Sequence, residues 1–281
     1  MVETTSHRMV PMDDLDPALL EAVLQRLGLD SLPSLDIDGL TDLYRRWCRS
    51  VPFDNTLKLI ALHGGGEGPL PGMDSALFFE SWLRHGTGGT CWPSANALHS
   101  LVKGCGFRSR LIAASMRDTG VASHGSTVVA LDDGEWLIDS SMLTEEPLRL
   151  SPDFATGIDH YVFGTSAEPV AEGWLFAFPL AYSVDSIPCR TIAPSPVSHE
   201  FCVERYEASR EMSPFNHSPS TRLNDADGVV SYGGGKRYRR TSAGVEESDL
   251  SKGRVFDALR NEFGMSEEIV SRLASALGRQ S

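Results

Sequence analysis

The apolar residues of this chain change their period near Arg108, and that change restricts what it can fold into. Upstream they recur every three or four residues, the spacing that lines one face of a helix. Asp16 to Gly28 reads as a helix with Asp16 as cap, Pro17 in its first turn and Leu20, Val23, Leu24 and Leu27 inward. Gly39 to Ser50 places Leu40, Leu43, Tyr44 and Trp47 on one face and stops at Val51-Pro52, because the residue before proline resists helical angles. A third helix, capped by Asp74 or Ser75, runs to Leu83, and the Gly/Pro-rich stretch from His63 to Gly72 before it reads as a loop. A fourth opens near Cys91, after Gly86-Thr87-Gly88-Gly89-Thr90, and ends at Gly106. Downstream, RSRLIAASM, GSTVVAL and EWLID read as strands, the last two joined as a hairpin at Asp132-Asp133-Gly134. Short apolar runs continue to about Glu207, with prolines 179, 188, 194 and 196 marking loops or edge strands. The last third has a turn-rich stretch, SPFNHSPSTRLNDADG, then strand-like pieces and two helices, one with Val255, Phe256, Leu259 and Phe263 inward, the other capped by Ser266. Helices, then antiparallel strands, then mixed elements indicate an α+β fold.

With 281 residues, 41% hydrophobic and 22% charged, the chain suits one large domain or two to three packed subdomains. Its net charge of −13 argues against nucleic acid as a partner, since duplex binding needs Lys and Arg to neutralise phosphates. The first residues, MVETTSHRMVPMDDLDP, lack the apolar core of a signal peptide, and no stretch approaches the ~20 apolar residues that span a bilayer, so a cytoplasmic protein without a membrane partner is expected. Five cysteines with no C-x-x-C pair suggest neither a disulfide framework nor a zinc site. No metal or nicotinamide motif is present.

The chemistry concentrates in three residues. A thiol at a helix N-terminus sits in a positive field that favours thiolate, and Cys91 follows Gly88-Gly89-Thr90 in that position. Paired glycines would let a ligand approach and leave N–H groups free for an oxyanion. His124 starts the strand GSTVVAL, and Asp139 ends the next, fifteen residues later. The hairpin returns them to the same open end, where the carboxylate can fix the imidazole and leave its other nitrogen to take the thiol proton. Taken singly, a cysteine is more often a small core residue than a nucleophile; the ordered set of three argues for catalysis.

The segments GTGGTCWPSANALHSLVKGCGFRSRLIAASM and SHGSTVVALDDGEWLIDSSML, followed by EEPLRL, resemble the Cys, His and Asp blocks of the arylamine N-acetyltransferase family. Val51-Pro52-Phe53-Asp54-Asn55 is similar to that family's Ile-Pro-Phe-Glu-Asn element, and Ser213-Pro214-Phe215-Asn216 to its later Ser-x-Phe motif. The resemblance implies an N-terminal helical bundle, a central antiparallel β-barrel and a C-terminal α/β lid around a cysteine-protease-like core. The parts expected are 1–106 with the nucleophile, 107–207 with His and Asp, and 208–281 as the lid. It also implies ping-pong transfer from a thioester donor through Cys91 to an amine, with Cys91, His124 and Asp139 as triad, and acyl-CoA or a phosphopantetheine-linked acyl chain as co-substrate rather than a tightly bound cofactor.

The chain departs from the family where Arg and Asn usually flank the cysteine at four residues on either side; here stand Thr87 and Ala95, with Asn96 one step later. Asp139-Ser140-Ser141-Met142-Leu143 replaces Asp-Val-Gly-Phe-Gly. Cys91-Trp92-Pro93 with Ala95 also resembles the wider transglutaminase-like group. These changes motivate two alternatives: an amide synthase or condensing-type acyltransferase of a natural-product pathway fed by an acyl-carrier protein, and a non-enzymatic relative. Phe53, Trp92 and Phe215 could line an aromatic acceptor pocket or be core. Lys236, Arg237, Arg239 and Arg240, after Gly233-Gly234-Gly235, could hold donor phosphates or form a solvated strand, with Lys236 and Arg237 the leading contacts. His85, Ser94 and His99 read as helix-surface residues.

Overall fold

The computed structural model describes residues 15–65, 67–192 and 196–278. Residues 1–14 of the first segment weighed above, and Pro194, lie outside the described residues. Five helices build the N-terminal part: α1 (Pro17–Arg26), α2 (Ile37–Ser50), α3 (Thr56–His63), α4 (Ser75–His85) and α5 (Cys91–Gly104), with the short strand β1 (Phe53–Asp54) between α2 and α3. Asp16 caps α1 by accepting from Ala18 N–H, and Asp74 caps α4 by accepting from Leu77 N–H, so the first-turn donors are met locally. Leu40, Leu43, Tyr44 and Trp47 of α2 are all at most 1% exposed. Trp47 stacks on Phe78 at 6.2 Å and meets Phe79 edge-on at 6.2 Å, joining α2 to α4 over α5.

Eight strands follow, β2 (Arg108–Met116), β3 (His124–Leu131), β4 (Gly134–Ile138), β5 (Leu148–Leu150), β6 (Thr156–Ile158), β7 (Thr165–Val170), β8 (Gly173–Pro179) and β9 (Ser186–Thr191). They form one antiparallel sheet ordered β5-β4-β3-β2-β9-β8-β7-β6, whose two end strands approach each other so that the sheet nearly closes into a barrel. Ile112, Val128, Leu137, Phe176 and Cys189 fill its interior. The helix α6 (His199–Ala208) then leads to a 3-10 turn (Pro214–Asn216) and the strands β10 (Thr221–Asn224), β11 (Val229–Gly233), β12 (Lys236–Thr241) and β13 (Gly244–Asp249). These make a second sheet, β1-β10-β11-β12-β13, backed by α7 (Lys252–Asn261) and α8 (Glu267–Gly278). Among the described residues no helix is long and apolar enough to cross a membrane.

The structure departs from the sequence reading at three places. Helix α3 escapes the periodicity test because it is apolar on two sides: Leu57, Leu59 and Ile60 pack with α7 and α8, while Ala61 and Leu62 join the cluster around Trp92. The run near Glu207 is helix α6, not strand; Ser198 caps it through Phe201 N–H, and Cys202 and Tyr206, one turn apart, are buried in the same cluster as Trp92. Pro188 lies inside β9, an inner strand, just where pairing with β2 ends at Met116 opposite Cys189.

Candidate active site

Cys91 is the first residue of α5, and its sulfur lies 3.7 Å from the carbonyl of Ser123, the residue before β3. The Thr90 N-cap leaves the first turn of α5 without a side-chain cap. Pro93 has no N–H, so the Cys91 and Trp92 amides face the thiol end of the helix without intrahelical partners. The glycines serve packing rather than an oxyanion. A Cβ on Gly88 would lie 1.7 Å from the Pro52 carbonyl, and the Gly88 N–H is taken by the Asp54 carboxylate.

Asp54 is buried, accepts also from Thr56 N–H at 2.7 Å, and burial pushes its pKa up to about 6 from 3.8. A carboxyl that binds its proton more tightly when folded loses stability as pH rises, here from about pH 4 to 6. The fold should lose about 3 kcal/mol across that interval from this group. Chemical denaturation at pH 4.5 and 7 of the parent and of Asp54→Asn checks it: the variant should lack this part of the slope.

His124 and Asp139 meet as the hairpin requires. β3 pairs with β4 from Thr127 opposite Ile138 to Leu131 opposite Gly134, and His124 Nε2 lies 2.7 Å from Asp139 Oδ2. Both are buried, at 2% and 1% exposure. Asp139 engages Nε2, and Cys91 is among the neighbours that favour the charged ring. Ser126, on the same face of β3 as His124, donates its hydroxyl to Asp139 Oδ2. Phe178 of β8 meets the imidazole edge-on at 5.3 Å. Burial disfavours charging His124, but the Asp139 charge and hydrogen bond, then Cys91, hold its pKa well above the usual value. Burial likewise pushes Asp139 up, yet the His124 charge, the His124 and Ser126 hydrogen bonds and Met142 N–H leave it below the usual value.

The loop after Asp139 lacks the family's glycines and is clamped instead. Asp139 Oδ1 accepts from Ser141 and Met142 N–H, each at 2.8 Å. Leu143 and Glu145 adopt positive φ, 53° and 63°, which side-chain-bearing residues hold only under constraint. The constraint comes from both sides. From α2, the Tyr44 hydroxyl donates to the Asp139 carbonyl at 2.8 Å and accepts from Asp139 N–H, and Arg49 pairs with Glu145. From β10, Arg222 donates to the Ser141 and Met142 carbonyls at 2.9 and 2.6 Å, and Asn224 to the Leu143 carbonyl at 2.7 Å. Tyr44→Phe strands buried groups at this turn and should destabilise by about 1–3 kcal/mol, read as a lowered denaturation midpoint at unchanged m-value.

Other residues singled out in the sequence have defined places. Phe53 and Phe215 meet edge-on at 5.2 Å beside Gly89, which bridges to Phe53; Asn55 ties them by donating to the Phe215 and Ser218 carbonyls. Trp92 is 3% exposed, faces Phe201 at 6.2 Å and lies against Gly125, where a Cβ would come within 2.6 Å of its ring. It therefore supports the start of β3. Lys236 and Arg237 point to opposite faces of β12, paired with Glu247 and, at 2.7 Å, with Glu262. Arg239 pairs with Asp225, and Arg240 donates to the Leu180 carbonyl. Neither His85 nor Ser94 is a surface residue: His85 bonds Ser266 at 2.8 Å, Ser94 donates to the Gly89 carbonyl, and both are buried. His99 is half-buried and bonds Ser109. Thr87 bonds Ser81, and Asn96, one step after the departure at Ala95, donates to the Met73 carbonyl, so both polar side chains are structural. Ser126, Phe178, Tyr44 and Arg222 had no sequence motif; only Ser126, two residues beyond His124 on one strand face, carried a usable signal.

Fold and site together define the class: the N-acetyltransferase family model matches residues 36–270, and the chain belongs to that family. The individual proteins that it resembles are arylamine N-acetyltransferases. Arylamine N-acetyltransferase 1 of Rattus norvegicus and that of Mus musculus are each 27% identical over 143 residues, covering 47% of this chain and 47% of each relative. The match thus spans about half the length of these curated proteins. Among solved structures, the Mycobacterium marinum arylamine N-acetyltransferase in complex with CoA has TM-score 0.79 at 17% identity, over 92% of this chain and 98% of that one. The Mycobacterium abscessus enzyme has TM-score 0.74 at 22% identity, over 99% of both. At these identities the structures demonstrate a shared fold.

Proposed function

We propose that this protein transfers an acetyl group from acetyl-CoA to an amine, through a thioester on Cys91 activated by His124 and Asp139. The observation that carries it is the buried His124–Asp139 pair at 2.7 Å, with the thiol at the start of α5 against Ser123, the residue before His124. The Cys91 thiolate attacks the thioester carbonyl, the bond to the CoA sulfur breaks, and His124 gives its proton to the departing thiolate. The amine then attacks the acyl-enzyme, His124 takes its proton, and Cys91 leaves as thiolate. Amides at the uncapped start of α5 are placed to stabilise the oxyanion in both steps.

Phe53 and Phe215 would line the acceptor side, with Trp92 behind the thiol. For Lys236 and Arg237 to hold the donor's phosphates, they would have to exchange Glu247 and Glu262 for them. Acyl-CoA is preferred over a carrier protein, which neither the relatives nor the site favours.

Intact-protein mass spectrometry after brief exposure to acetyl-CoA tests the reading. One added acetyl group, removed by an arylamine or hydrazine, is the expected result. A protein left unmodified by acetyl-CoA, with no amine acetylated on longer incubation, would refute it.

A further inference from the structure

Ser126 places a hydroxyl in the barrel interior, where packing alone calls for an apolar residue. Side chains alternate along β3, so Ser126 shares a face with His124 and Val128, and it pairs across to Ile112 of β2. Val128 and Ile112 belong to the apolar core of the barrel, and Ser126 is 1% exposed among them. A hydroxyl buried there is unfavourable unless it is bonded. Its bond goes to Asp139 Oδ2.

The strand register brings the two together. β3 and β4 pair as far as Thr127 opposite Ile138, so one step further sets Ser126 across from Asp139, with His124 diagonal to it. The carboxylate is held from two sides. Oδ1 accepts from Ser141 and Met142 N–H, each at 2.8 Å, which ties it to the loop. Oδ2 accepts from Ser126 and, at 2.7 Å, from His124, which ties it to β3. Four donors use the four acceptor directions of a carboxylate.

We propose that Ser126 is a positioning residue for the acid–base pair: by sharing Oδ2 with His124, its hydroxyl fixes the Asp139 carboxylate in the orientation that holds the imidazole. The inference rests on the reading of His124 and Asp139 as the pair that activates Cys91.

The surrounding groups agree. Burial pushes Asp139 up; after the His124 charge and hydrogen bond, the Ser126 hydrogen bond is the next contact that brings it below the usual value. Other titratable groups facing the pair address different atoms. Tyr44 of α2 donates to the Asp139 carbonyl, and Arg222 of β10 donates to the Ser141 and Met142 carbonyls. Cys91 of α5 and Cys189 of β9 act on the imidazole. Among the described residues, the side chains that bond this carboxylate are therefore His124 and Ser126. A second donor on Oδ2 also draws charge away from the ring, so its removal strengthens the bond to His124.

Two measurements on Ser126→Ala and Ser126→Thr test the inference. One is the titration of His124 by NMR of isotope-labelled histidine, assigned with His124→Gln; the other is the single-turnover rate of Cys91 acetylation by acetyl-CoA. Ser126→Ala should raise the His124 midpoint by about half a unit to one unit and slow acetylation about five- to fiftyfold. Ser126→Thr, which restores the hydroxyl, should recover most of both. A Ser126→Ala titration that overlays the parent's, or that moves down toward the ordinary value of about 6.5 as water entry would drive it, overturns the inference alone. So does a rate loss that Ser126→Thr shares at an unchanged denaturation midpoint. A parent that takes no acetyl group refutes the proposed function instead, while the titration, which needs no substrate, still decides whether Ser126 sets the pair.

Discussion

Replacing Cys91 with alanine is expected to lower acyl transfer by at least about 10⁴-fold and to abolish the acetyl adduct, while leaving the melting temperature within a few degrees of the parent. The reasoning is that no second thiol can substitute. Burial pushes Cys105 up to about 12 and Cys189 up to about 11, raises Cys48 as well, and Cys202 is 1% exposed. Cys91, at the edge of its cluster, is the half-buried member of the five. Steady-state rates with acetyl-CoA and an arylamine, alongside intact mass, give the readout. Retention of a tenth of parental activity in Cys91→Ala would exclude a thioester on this residue.

Asp139→Asn should produce the second largest loss, roughly 10³-fold in kcat, with stability affected in a defined pH window. An amide keeps the shape but presents the wrong hydrogen-bonding group to either His124 or the two N–H donors at Ser141 and Met142. The linkage follows from the shifts. Asp139, held below its usual value, stabilises the fold above about pH 4, and this is lost as pH falls through its folded pKa. His124, held above its usual value, stabilises fully below about pH 6.5, and this is lost as pH rises through its raised pKa. Asp139→Asn should therefore destabilise most between these limits and approach the parent at acid pH. Denaturant midpoints at several pH values read it; an equal loss at every pH would mean that packing, not the ion pair, is responsible.

The clamp on the Asp139 loop bears on why the altered motif still supports a paired His and Asp. Glycine removes the penalty for positive φ at a turn, whereas here Leu143 and Glu145 accept it and Tyr44, Arg49, Arg222 and Asn224 hold it. Arg222 and Asn224 come from the second sheet, so the carboxylate that orients His124 depends on the docking of β10. A motif departure visible in sequence is thus answered by residues about 80 positions away in the chain.

What the sequence determined by itself was local. The helix caps at Asp16 and Asp74, the face Leu40-Leu43-Tyr44-Trp47, and the β3–β4 hairpin that returns Asp139 to His124 all follow from periodicity and turn chemistry within short windows. Helices α3 and α6 could not be found that way, since each is apolar on more than one side or buried against partners remote in sequence. Tertiary structure decided which polar atoms meet once such elements pack. It took the Gly88 amide for Asp54, turned Trp92 into a support for Gly125, matched the basic residues of β12 with partners, and set Lys58 over Tyr206. Hydrogen bonds and charges act over a few ångströms, and only the folded chain brings residues far apart in sequence within that range.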